Sequence, residues 1–188
     1  MRRLIYYITL TADGMYARPD GGLDDFAPSE EEHRYANRLV HSAGDAVMGR
    51  VMYDVMEYWD ELDLDDPDVS DVEREFATFW RETPKHVASR GQPTLRANAT
   101  RIDGDVIDFV RRMKGADGPD IMLGCGADLF AELATAGLID EYRFLVTPMA
   151  LGQGKALFAN LDRPLHLVLT NATRSSGGGV LVEYEPTT

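Results

Sequence analysis

The chain has 188 residues, 44% of them apolar, which is enough to bury one good core and short for two. Its net charge of −13 argues against DNA, RNA or an anionic membrane as a partner, since no basic patch overrides the repulsion. The single cysteine, Cys125, excludes an intrachain disulfide and suits a reducing cytoplasm, and the longest apolar runs fall far short of the ~20 residues that span a bilayer.

Met1-Arg2-Arg3 before an apolar stretch has a faint likeness to a secretory leader, but Thr9 and Thr11 interrupt it and Asp13 follows where small residues belong. Residues 4–10 read instead as a β-branched and aromatic first strand, covered on both faces. Residues 13–28 form a Gly- and Asp-rich loop. Ser29 and Glu32 have capping-box spacing, and Tyr35, Leu39 and Val40 carry a helical stripe to about Ala43, with Gly44 as the stop. Residues 45–48 are a short buried strand that runs into Gly49-Arg50, where a second helix begins and continues through Met56.

Seven carboxylates from residue 60 to residue 71 crowd around Pro67 and predict an exposed loop. A helix over 73–81 leads to a strand at 85–88, and Val106, Phe109, Val110 and Met113 mark a helix from near Asp105 to Lys114-Gly115. After a buried strand at 120–123, Gly124-Cys125-Gly126 opens a helix whose Leu129, Phe130 and Leu133 face the core and whose stop is Gly137. Strands follow at 142–146, 165–170 and 180–184, and Ser175-Ser176-Gly177-Gly178-Gly179 turns the terminal hairpin. Early strand–helix alternation with a late hairpin predicts an α/β fold around a mixed, mostly parallel sheet, in one domain over 1–188.

Two strand-to-helix junctions, Met48-Gly49-Arg50 and Leu123-Gly124-Cys125-Gly126, carry the strongest chemical signal. At each, glycine lets backbone approach a ligand, and the following helix offers free N–H donors to an anion such as a pyrophosphate. Arg50 adds a permanently charged fork. Neither junction is the full dinucleotide fingerprint, because the third glycine is missing, and a structural turn explains either one as well. His33, His41, His86 and His166 are scattered with no Cys or carboxylate at ligand spacing, which argues against zinc. Asp63, Asp65, Asp66 and Asp68 resemble a calcium loop but lack its central glycine and closing glutamate. No serine sits in a Gly-x-Ser-x-Gly elbow. A helix N-terminus would stabilise a Cys125 thiolate, yet with no basic neighbour in sequence it reads as a small space-filling residue. Tyr53 and Trp59 line a pocket or fill the core.

Several segments together resemble a known family. Thr9-Leu10-Thr11-Ala12-Asp13-Gly14, Val47-Met48-Gly49-Arg50 with Tyr53, and Lys85-His86-Val87-Ala88-Ser89-Arg90 are similar, in order, to its N-terminal half. Asn98-Ala99-Thr100 with Gly104-Asp105, Gly124-Cys125-Gly126, Gly137-Leu138-Ile139-Asp140-Glu141 and Pro148-x-x-Leu151-Gly152-x-Gly154-Lys155-x-Leu157-Phe158 are similar to its second half. This is the dihydrofolate-reductase-like family that includes the reductase domain of the bacterial bifunctional riboflavin-biosynthesis deaminase-reductase, and the likeness covers almost the whole chain.

The resemblance implies a dihydrofolate-reductase-like three-layer fold, NADPH as cofactor, a small-molecule substrate and a homodimer. The expected reaction is hydride transfer to a small heterocycle, as in 5-amino-6-(5-phosphoribosylamino)uracil reductase or dihydrofolate reductase; the alternative is a non-catalytic dimer that binds NADPH or another small ligand. Carried over by position, Gly49, Arg50 and Tyr53 lie at the cofactor phosphates, and Ser89 and Arg90 near the adenosine 2′-phosphate. Gly124, Cys125, Gly126, Ala127, Asp128 and Leu129 surround the pyrophosphate. Asp13 lies near the nicotinamide as substrate ligand or proton relay, though turn chemistry explains Asp13-Gly14 about as well. Asp140-Glu141 and Gly152-x-Gly154 read as a charged strand entrance and a glycine turn.

The chain departs from the family in three respects. Met52 replaces a threonine that meets a phosphate in many relatives, and the pattern that recognises a ribosyl phosphate is not recognisable. A carboxylate on the first helix faces the substrate in dihydrofolate reductases, and the sequence leaves Glu31, Glu32 or neither in that role.

Overall fold

The computed structural model describes residues 1–96 and 98–187. Its elements in chain order are β1 (Leu4–Thr11), β2 (Met15–Ala17), α1 (Glu30–Ser42), β3 (Asp45–Gly49), α2 (Arg50–Met56), α3 (Tyr58–Glu61), α4 (Asp71–Glu82), β4 (Lys85–Ala88) and β5 (Ala99–Arg101). Then come α5 (Val106–Gly115), β6 (Ile121–Gly124), α6 (Ala127–Thr135), β7 (Glu141–Thr147), β8 (Lys155–Ala156), β9 (Leu167–Arg174) and β10 (Val180–Pro186).

Eight strands form one sheet in the order β5-β4-β3-β6-β1-β7-β10-β9, while β2 and β8 pair separately. β1 is central: Tyr6 lies beside Leu123 of β6 and Tyr142 of β7, both in parallel. The pairings from β5 across to β7 are all parallel, and the hairpin of β9 and β10 adds the antiparallel ones. Strand alternation sends Leu4, Tyr6, Ile8 and Leu10 to one face, where they pack with Phe130 and Leu133 of α6. The other face meets α1, with the Tyr7 and Tyr35 rings 5.6 Å apart. A second cluster joins Val40, Met48, Tyr53, Phe76, Trp80 and Val87 beneath α1 and α4. Losing a buried ring such as Phe130 from such packing costs about 3–5 kcal/mol. This is the α/β, mostly parallel sheet with a terminal hairpin that the sequence predicts. Among the described residues no helix is long and apolar enough to cross a membrane.

Local signals hold where the hydrogen bonds are local. Ser29 and Glu32 form the predicted capping box, and Gly137, with φ +67, takes the left-handed conformation that ends α6. α4 starts two residues before the predicted 73, because Ser70 and Glu73 make a second capping box. Gly44 has a different job from the expected stop: α1 ends at Ala43 in extended backbone, and Gly44 gives room to Arg2 and Pro119, each 3.0 Å from where a Cβ would be. The three-residue strands β2 and β5 and the two-residue β8 are too short to show a period. β9 runs over Leu167–Arg174 rather than 165–170, in a register fixed by β10 and an irregularity at Glu183/Tyr184.

The acidic segment is partly structured. Asp60 and Glu61 belong to α3, and Asp60 Oδ2 accepts the indole N–H of the fully buried Trp80 at 3.0 Å. Residues 62–70 then run as a turn-rich loop held by the Arg74 guanidinium, which donates to the carbonyls of Leu64, Asp66 and Val69.

Candidate functional site

β4, β3 and β6 lie side by side in parallel, so their carboxyl ends, Ala88, Gly49 and Gly124, open together on one cleft of about 1440 Å³. Residues from 21–28 and 155–160 also line it, and α1 forms the opposite wall. Chain positions far apart therefore share one concavity.

At the β6–α6 junction, Gly124, Gly126, Ala127, Asp128 and Leu129 line the cleft. Gly126 is the N-cap of the nine-residue α6 and supplies no side-chain cap, whereas α1, α4 and α5 are capped by Ser29, Ser70 and Asp105. The first N–H groups of α6 are therefore left for a ligand. A Cβ on Gly126 would stand 2.9 Å from Tyr16 Oη, and one on Gly124 would stand 2.9 Å from Met48 Sδ. Asp128 in the first turn is held by Asn160 Nδ2 at 2.5 Å, and its charge opposes an anion at this mouth.

Gly49 and Arg50 also line the cleft. Gly49 packs so closely on the β6–α6 junction that a Cβ would lie 3.1 Å from Cys125 Cβ. Arg50 Nε meets both Asp54 oxygens at 2.7 and 2.8 Å in an exposed i,i+4 pair that solvent screens, so the fork is available for exchange with a phosphate. Ser89 and Arg90 line the cleft beyond the end of β4. The exposed Arg90 makes no ion pair among the described residues. A cation absent from the sequence reading stands nearby: Arg101 Nη1 donates to the Gly91 carbonyl at 3.1 Å, brought there by the parallel pairing of β4 and β5.

Three sequence-predicted site residues lie outside the cleft lining. Tyr53 is fully buried in the α1–α4 core, and its hydroxyl oxygen accepts the Arg96 backbone N–H at 2.9 Å. Cys125 is also fully buried; burial pushes its thiol pKa well up, which removes the reactive-thiolate reading, and its carbonyl accepts the Tyr6 hydroxyl at 2.9 Å. Asp13 is exposed, and its carboxylate is occupied as an acceptor from Thr11 Oγ1 at 2.6 Å and from the N–H groups of Leu151 and Gly152. Those bonds hold its pKa below the ordinary aspartate value, Thr11 contributing most. Asp13 thus acts as a loop staple, the turn role its sequence context also allows, and stands outside the residues that line the cleft.

Of the two first-helix carboxylates, Glu32 lines the cleft, while Glu31 accepts the Ser176 N–H at 2.9 Å. Glu32 also accepts from the Ser29 N–H at 2.7 Å and from the Ser175 hydroxyl. Thr9 and Tyr7 lie across from it on β1, and burial pushes the Tyr7 phenol up to about 12. Farther in, His33, Trp59 and Phe76 line the same wall. The sequence offers Trp59 as a pocket residue but gives no sign of His33 or Phe76 beside it, because α1, α3 and α4 bring the three together only on packing.

The RibD C-terminal domain family matches residues 2–181 of the chain. An uncharacterized Bacillus subtilis (strain 168) protein, YyaP, is 28% identical over 183 residues, covering 97% of this chain and 94% of that protein. Among solved structures, a candidate riboflavin biosynthesis protein of Shewanella sp. PV-4 superposes with a TM-score of 0.76 at 20% identity, over 99% of each chain. The Thermotoga maritima diaminohydroxyphosphoribosylaminopyrimidine deaminase/5-amino-6-(5-phosphoribosylamino)uracil reductase gives 0.69 at 14% identity, over 99% of this chain and 57% of that one. Enterococcus faecalis dihydrofolate reductase, complexed with NADP(H) and RAB-propyl, gives 0.64 at 11% identity, over 99% and 97%. With its dihydrofolate-reductase-like sheet and its cleft at the carboxyl ends of β3, β4 and β6, the chain belongs to the RibD C-terminal domain family.

Proposed function

We propose that the chain is an NADPH-dependent reductase of a small heterocyclic substrate. The observation that carries this reading is the meeting of Gly49-Arg50, Ser89-Arg90 and the uncapped start of α6 around one cleft. A dinucleotide offers a pyrophosphate to the α6 N–H groups and a 2′-phosphate to Ser89 and Arg90. Arg50 supplies a further charge once it exchanges Asp54 for the ligand. Bound NADPH supplies the hydride that adds to the carbon of a C=N or C=O group, and a proton taken up on the neighbouring nitrogen or oxygen balances the reduction. The chain's part is to hold the two rings together and exclude water. Glu32 and Thr9 present the polar groups that orient the substrate edge.

The assembly is a homodimer joined through the terminal hairpin. β9 is an edge strand, and Val168 and Leu169 on it are each 52% exposed, which is surface a partner copy would cover. Light scattering should report about twice the 20.9 kDa chain mass, and a monomer at high micromolar concentration would refute this arrangement. A single buried thiol is compatible with a reducing cytoplasm as the place of action.

Calorimetry with NADPH and NADH at one stated salt concentration tests the cofactor reading. NADPH should bind, and more tightly than NADH. No heat of binding at millimolar NADPH would refute it.

A further inference from the structure

We propose that the compartment between α1, α3 and α4 receives a planar ring that carries no phosphate, and that Trp59, Phe76 and His33 are the residues that select it. This rests on reading the cleft as a reductase site and names the substrate class it takes.

The wall is aromatic. The Trp59 and Phe76 ring centroids are 4.6 Å apart, and His33 lies 5.4 Å from each, so three rings in mutual contact face the same space. Such a surface favours a flat π-system, which stacks or meets ring edges at low cost in order. Phe26, Ala36 and Met56 complete the surround without adding charge.

The charges are segregated. The cations that line the cleft are Arg50, Arg90 and Lys155, at the start of α2, beyond β4 and on β8. α1, α3 and α4 contribute none to the lining, and α1 contributes the carboxylate of Glu32. A phosphomonoester carries roughly −1.5 to −2 charges near neutral pH, so against these three helices it would lose water, gain no cation from them and share the lining with the Glu32 carboxylate. A ring N–H or amino group has the opposite preference, because the Glu32 oxygens accept.

His33 fits the same ligand. Its ring nitrogens carry no hydrogen bond to a described residue, and burial, opposed by the nearby Glu73 charge, holds its pKa below the ordinary histidine value. The neutral imidazole offers one donor and one acceptor to a heteroatom edge and no charge to an anion.

Calorimetry with three probes tests this: pterin and hypoxanthine as phosphate-free rings, and inosine 5′-monophosphate as the hypoxanthine ring carrying a ribosyl phosphate. At least one free ring should bind about tenfold or more tightly than the nucleotide. Trp59→Ala, and separately the milder Phe76→Leu should the first fail to fold, should weaken that ring about tenfold while NADPH affinity stays at the wild-type value. Equal or tighter binding of inosine 5′-monophosphate overturns the proposal, as does failure of both free rings below millimolar concentration in protein that binds NADPH. Loss of NADPH binding itself would be the failure of the underlying reductase reading.

Discussion

Asp13 Oδ2 accepts the backbone N–H of Gly152 at 2.7 Å, a bond that ties the loop after β1 to the loop after β7. Gly152 has φ +71, so the turn that presents this N–H is one that glycine adopts readily. Two loops are thereby joined at one end of the sheet through residues 139 positions apart.

Asp13→Ala should lower the melting temperature and loosen residues 148–154 while leaving NADPH affinity near wild type. Because the folded pKa of Asp13 is depressed, the contribution is present above the unfolded aspartate value of about 3.9 and is lost as pH falls through the folded value. Thermal melts of wild type and variant between pH 3 and pH 7 check this; curves separated equally at every pH would contradict it.

Arg90→Ala should remove most of the preference for NADPH over NADH, a change of about 10- to 100-fold for one charge-assisted contact. Arg50→Ala should weaken both cofactors, because the contact proposed for it at the β3–α2 junction is with the pyrophosphate that both share. Titrations at fixed ionic strength separate the two effects, since screening alone changes both affinities.

Asp60→Ala leaves the buried Trp80 indole N–H without an acceptor and should destabilise the protein by about 1–3 kcal/mol. Asp65→Ala, on an exposed position of the acidic loop, should stay within about 0.5 kcal/mol of wild type. Denaturant unfolding of the two variants side by side reads this contrast.

His33→Gln should flatten part of the acid limb of the stability curve. With its folded pKa below the unfolded value of about 6.5, wild-type His33 binds fewer protons in the folded state. Its neutral form is compatible with folding above that pH, and stability is lost as pH falls from about 6.5 through the folded pKa. The difference between wild-type and variant unfolding free energies should change over that window and level off above it.

The sequence by itself determined the elements that local caps, turn residues and strand propensity mark out. The Ser29 capping box, the Gly137 stop, the junctions at Gly49 and Gly124-Cys125-Gly126 and the strands at 85–88 and 180–184 all appear where propensity and spacing predict them. The order of motifs likewise carried the family. Tertiary structure alone decided which of these residues share a space. It turned Tyr53 and Cys125 into the core, drew Asp13 into a staple between loops, and chose Glu32 over Glu31 for the cleft. It also gathered His33, Trp59 and Phe76 into one wall and set Arg101 beside Gly91. Those placements follow from parallel crossovers and helix packing, which join residues tens of positions apart, and no local period or cap in a chain encodes such a distance.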